Sequence, residues 1–140
     1  MCEIENWIML FLLGICGWRD YREKQIPLTL LLVMSVATVL LAIFYPKESL
    51  GTHIGGAALG ILFFFVSRFT QEAIGYGDSW LILILGVHLG LSLTLQVLLL
   101  ASFLAGVCSL FFLIKSQWNK RISIPFVPFI VLGYLGVMFL

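Results

Sequence analysis

The amino-acid sequence predicts an all-α polytopic membrane protein with about six transmembrane helices and both termini on the extracytoplasmic side. Three observations predict it. The 140-residue chain is 61% hydrophobic and only 11% charged, whereas an ordinary soluble domain carries about 25% charged and 45–50% apolar residues. The apolar residues, which give a mean hydropathy of +1.11, come in runs long enough to cross a bilayer. The cations between those runs fall almost entirely on one side. At roughly 20 residues per helical span, the chain has room for six or seven crossings and no separate soluble domain, so residues 1–140 are read as one membrane-embedded domain.

The first span runs from about Ile4 to Arg19, the second from Pro27 to Tyr45, and the third from about Thr52 to Phe69. Residues 80–114 then form an almost unbroken apolar run of 35 residues. As one straight helix it would measure about 52 Å, far beyond a hydrocarbon core of about 30 Å. It must fold back, and His88, Gly90, Ser92 and Thr94 are the only polar or flexible cluster inside it. The hairpin is placed there. The last span covers roughly Ser123 to Leu140. Pro27 and Pro125 are read as helix-starting prolines, where a missing N–H costs nothing. Gly56-x-x-x-Gly60 and Gly86-x-x-x-Gly90 put small residues one turn apart, a pattern that lets helices approach closely in lipid.

Charge counting supports this division. Six spans place Arg19, Arg22, Lys24, Arg68, Lys115, Lys120 and Arg121 on one side and only Lys47 on the other. Such an asymmetry marks the first side as cytoplasmic. A single crossing by residues 80–114 would reduce it to four against four.

Composition also excludes several functions. A net charge of +1 offers no basic face for nucleic acid. Cys2, Cys16 and Cys108 are scattered without a C-x-x-C, which suggests neither a zinc site nor a disulfide framework. Glu3 and Glu5 stand where a cleavable signal peptide would have basic residues. His53 and His88 fall singly on the outer side, so no metal set forms, and Ser79 has no histidine on its own side to serve as base. No cofactor is expected.

Of seven carboxylates, Glu3, Glu5 and Glu48 face outward, while Glu23 and Glu72 sit in polar loops. That leaves the only two aspartates, Asp20 and Asp78. Asp20 ends the first span and Asp78 precedes the fourth, so parity brings both to the cytoplasmic interface. Two nearby carboxylates cannot easily both ionise and share one proton. The ionised member can then take a proton from water while the protonated member polarises a scissile carbonyl. The plainer reading makes both aspartates water-exposed helix caps. A third reading is a non-enzymatic proton- or cation-coupled carrier or channel built on the same pair. It would need a polar path, for which the span interiors offer few groups besides Ser35, Thr38, Gln96 and Ser102.

Asp20 followed by Ile26-Pro27, the Gly75-Tyr76-Gly77-Asp78 segment, and Ile124-Pro125-Phe126-Val127-Pro128-Phe129 with Gly133 together resemble the three signatures of the type IV prepilin peptidases, a family of GxGD membrane aspartyl proteases. The resemblance covers nearly the whole chain in the right order. It implies a six-span core and catalysis on the cytoplasmic side of the cell membrane by Asp20 and Asp78. Gly75, Gly77, Lys24, Pro27 and Pro125 would be the supporting motif residues. The implied partners are a prepilin or pseudopilin substrate, from a type IV pilus or a protein-secretion system, and membrane lipids. The sequence sets no oligomeric state. Two positions depart from the family pattern: Leu28 follows Ile-Pro where Asn or Asp is usual, and Trp80 replaces a frequent Lys. If Trp80 blocks the site, the chain becomes an inactive assembly subunit. With no paired C-x-x-C insert, the resemblance implies a peptidase-only form that does not methylate its product.

Overall fold

The computed structural model describes residues 2–23, 26–45, 49–70, 76–115 and 125–140. Among these, all regular structure is helical: α1 (Cys2–Glu23), α2 (Leu28–Phe44), α3 (Leu50–Phe69), α4 (Tyr76–Lys115) and α5 (Val127–Phe139). Lys24, Gly75, Glu72 and the charged stretch holding Lys120 and Arg121 lie outside the described residues.

The expected hairpin is inside α4. Gly90 has φ 77° and ψ 175°, a left-handed excursion that a residue with a Cβ rarely makes. The Thr94 hydroxyl lies 2.6 Å from the Gly90 carbonyl and 3.2 Å from that of Leu85. On a straight helix residues 85 and 94 would be about 13 Å apart along the axis, so the chain doubles back. Neighbours of the two limbs agree: Gly60 packs on Leu83 in the first limb, and Gly133 packs on Val97 and Ala101 in the second. Five helices thus give six helical limbs.

α1 runs antiparallel to both α2 and α5. Met9 meets Thr38 and Cys16 meets Met34 across α1 and α2. Asn6 accepts the Tyr134 hydroxyl at 3.4 Å, while Gly17 touches Val131 and Pro128 across α1 and α5. One end of the bundle therefore gathers the C-termini of α1 and α3 and the N-termini of α2, α4 and α5. The other end gathers the start of α1, the end of α2, the start of α3, the Gly90 turn and the end of α5.

Met9, Leu13, Leu81, Leu85, Val97, Ala101, Val127 and Ile130 form the shared core. Phe11, Val33, Leu99, Phe103 and Phe111 point outward, whereas Asp20, Thr38, Ser79 and Thr94 are buried. Apolar groups outside and polar groups within suit surroundings that are themselves apolar. By length and composition, α3 and α4 can each cross a membrane, and α2 and α5 are shorter apolar helices.

Some boundaries differ from expectation. α1 continues one turn beyond Arg19, so Asp20 lies within the helix rather than after it. Pro27 is the N-cap of α2, with φ −66° and ψ 134°; its carbonyl accepts the N–H groups of Leu30 and Leu31 at 3.1 and 3.3 Å. Pro125 stands two residues before α5, and Pro128 takes the first-turn position instead. At α2 an extended residue leads the chain into the helix, whereas Phe126 before α5 is already in the helical region, at φ −88° and ψ −30°. Tyr45 leaves α2 at φ −131°, ψ 69°, as the residue before Pro46 is disfavoured from helical geometry.

Candidate functional site

The three sequence blocks converge at one end of the bundle. In the last turn of α1, Asp20 is only 8% exposed. Its Oδ2 accepts the backbone N–H of Val127, the first residue of α5, at 3.3 Å across 107 positions of sequence. At the start of α4, Gly77 packs on Ile26, where an added Cβ would stand 3.2 Å from the isoleucine Cδ1. The glycine thereby lets the first turn of α4 lie against the Ile26-Pro27 step. Gly77 is helical, so its contribution is close approach to a neighbour. Asp78 follows it and is half-buried.

Both aspartates lie outside the apolar stretches, at the ends of their helices. Burial pushes the Asp20 carboxyl above its ordinary range, and the Val127 N–H opposes this by stabilising the charged form. Burial, and after it the negative charge of Asp20, raise Asp78 to about 6. The charge of Asp20 thus reaches Asp78, as expected of two carboxyls at the same end of the bundle.

Trp80 has a definite place. Its indole N–H donates to the Ser35 hydroxyl at 2.8 Å, that hydroxyl donates to the Leu31 carbonyl at 2.8 Å, and the ring meets Phe64 edge-on at 6.0 Å. These contacts hold Trp80 against α2 and α3. Sequence reasoning missed this anchor, and it also missed the Val127 donor, because a backbone N–H leaves no trace in residue type.

The four groups considered for a polar path are otherwise engaged or turned outward. Ser35 is bonded as described, Thr38 donates to the Met9 sulfur at 3.7 Å, and Gln96 and Ser102 are exposed. His53 donates from Nδ1 to the Val87 carbonyl at 2.7 Å, which ties α3 to α4. Arg19 pairs with Glu23 at 3.7 Å on the exposed face of α1. Among the described residues, no cluster of three or more His, Cys, Asp or Glu side chains could hold a metal ion.

Comparison with known proteins adds one finding. The family described as the type IV leader peptidase family matches residues 7–110, a stretch that contains both aspartates and ends before Pro125. No curated protein and no solved structure matches the chain.

Proposed function

From the premise that the chain belongs to the type IV leader peptidase family, we propose that it is an aspartic endopeptidase that removes the leader peptide of prepilins or pseudopilins at the cytoplasmic face of the cell membrane. The observation that carries this reading is the placement of Asp20 and Asp78 at one end of a helical bundle with an apolar exterior, where the charge of Asp20 acts on Asp78. Residues 1–140 act as one membrane-embedded domain. The apolar stretches of the six limbs are its six spans, with both termini outside the cytoplasm, in line with the seven-to-one distribution of cations.

The chemistry follows from the pair. One carboxylate accepts a proton from water as the water oxygen attacks the scissile carbonyl, and the other carboxyl donates to the carbonyl oxygen. The tetrahedral intermediate collapses as the first carboxyl protonates the departing amine and the second recovers its proton. One water and one peptide bond become an acid and an amine, and the pair returns to its starting state. Gly75, Gly77, Lys24, Pro27 and Pro125 support the site, with Gly77 and Pro27 admitting the helix approach described above. Trp80 is tied to Ser35, which favours an open active site over the inactive-subunit reading. The engagement of Ser35 and Thr38 in packing favours a peptidase over a carrier or channel.

The test is gel-shift processing of a prepilin in membranes that express the chain. The wild type releases the leader without methylating the mature N-terminus, whereas D20N and D78N, at matched levels and correctly inserted, release none. Wild-type processing by D78N would overturn the reading.

A further inference from the structure

We infer that the backbone N–H of Val127 fixes the division of labour within the pair: it holds the negative charge on Asp20, the carboxylate that takes the proton from water, and leaves the proton on Asp78, the carboxyl that serves the scissile carbonyl. This rests on the peptidase reading above and adds the roles that reading leaves open.

The hydrogen bonds of the first turn of α5 can be followed donor by donor. Pro128 has no N–H. Phe129 and Ile130 both donate to the Phe126 carbonyl, at 3.0 and 3.2 Å. Phe126 supplies no side-chain cap. Val127 is thus the orphan donor of this helix start, and it is satisfied by Asp20 at 3.3 Å. A carboxylate from α1 caps α5, at the positive end of its dipole. Asp78 also lies in a first turn, so the dipoles alone do not separate the two residues. The directed N–H does, because a donor aimed at a carboxylate oxygen favours the ionised form.

Among the described residues, the titratable groups facing Asp20 are Asp78 from α4 and the Cys16 thiol one turn back on α1. α2 and α5 carry no charged side chain, and Arg19 and Glu23 pair with each other on the exposed face. Burial acts upward on both aspartates. At Asp20 the Val127 bond opposes it, whereas at Asp78 the charge of Asp20 adds to it.

In the reaction, Asp20 takes one proton from water as the C–O bond forms, and Asp78 gives its proton to the carbonyl oxygen. On collapse the C–N bond breaks, Asp20 passes its proton to the amine nitrogen, and Asp78 regains one from a hydroxyl of the intermediate. Val127 touches no reacting atom; it is a positioning residue.

The chain has only two aspartates, so carboxyl-¹³C aspartate labelling gives two NMR signals, assigned with D20N and D78N. In the full chain in lipid vesicles, the Asp20 signal should move in the lower titration step and the Asp78 signal in the upper. V127P deletes the donor at the first helical position of α5 and should raise the lower step by about one pH unit. V127A trims the side chain, keeps the N–H, and should leave the steps in place. Asp78 titrating first in the wild type, or V127P matching V127A, overturns the inference. If V127P fails to fold, an Asp20 signal that does not move in the lower step of the wild type still overturns the inference. Correct order in a protein that cleaves no prepilin would instead overturn the peptidase reading and leave the charge assignment standing.

Discussion

The seam between α3 and α4 and the aspartate end of the bundle both join segments distant in sequence, but by opposite means. At the seam Gly56 lies on Gly86 and Gly60 on Leu83, so closely that a Cβ on any of the three glycines would collide with the facing backbone. The join is backbone against backbone, and its stability comes from dispersion over a close contact. At the aspartate end the join is a carboxylate oxygen and a single N–H. Burying two carboxyls there costs folding free energy. A feature that weakens the fold where apolar side chains would strengthen it marks where chemistry is placed. The two regions should therefore fail differently, the seam through assembly and the aspartate end through activity.

The largest effect expected is at the aspartates. Each Asp→Asn change should remove transition-state stabilisation on the order of several kcal/mol. The double variant D20N/D78N should be little worse than either single one, because residues that act as a unit are strongly non-additive. E23Q and E72Q should process prepilin at close to the wild-type rate, Glu23 being exposed. Gel-shift rates at matched expression measure all five. A double-variant loss equal to the sum of the two single losses would show that the carboxyls act independently.

Next comes the seam. G86A drives a methyl group into the Gly56 carbonyl, and overpacking of this kind typically costs about 1–3 kcal/mol. The thermal midpoint of G86A in detergent should fall, and processing should fall in proportion to the folded protein that remains. D78N should keep or raise the midpoint while losing activity. A G86A variant with an unchanged midpoint would mean that the seam is looser than its glycines imply.

The aspartate end was more legible in the sequence than the seam. Parity of spans alone put Asp20 and Asp78 at the same end, and length alone required residues 80–114 to turn back, as they do at Gly90. Both deductions rest on coarse quantities, length and charge, that survive ignorance of side-chain contacts. The glycine pattern was legible only in part. Gly56, Gly60 and Gly86 mark a contact, but Gly90 belongs to the turn, and a spacing rule cannot tell a packing glycine from a left-handed one. The Val127 donor and the Trp80–Ser35 bond were invisible, since each depends on which atoms tertiary packing brings within 3.3 Å.

A smaller effect is expected at that last bond. W80F keeps an aromatic ring for Phe64 but removes the indole donor to Ser35, a loss of about 1 kcal/mol in stability. Processing should change little, because the contact faces α2 and α3 rather than the carboxyls. W80K restores the residue common in the family, and a gain in processing beyond the wild type would show that Trp80 limits the reaction.

The smallest effect separates two glycines on one helix. Gly14 and Gly17 both line an apolar groove of about 370 Å³ between α1 and α5, with Trp18, Tyr21, Pro128 and Val131 among its walls. A Cβ at Gly17 would stand 3.2 Å from Val131 Cγ2, whereas a Cβ at Gly14 would meet nothing within 4 Å. Internal packing thus gives a reason for Gly17 and none for Gly14. Alanine is the better helix former by up to about 1 kcal/mol, so G14A should leave the thermal midpoint unchanged or raise it slightly, while G17A should lower it. Processing by G14A should match the wild type, since the added methyl reaches neither carboxyl. A folded G14A protein that no longer cleaves prepilin would contradict this, and would mean that the working enzyme fills the groove with something a single methyl group displaces.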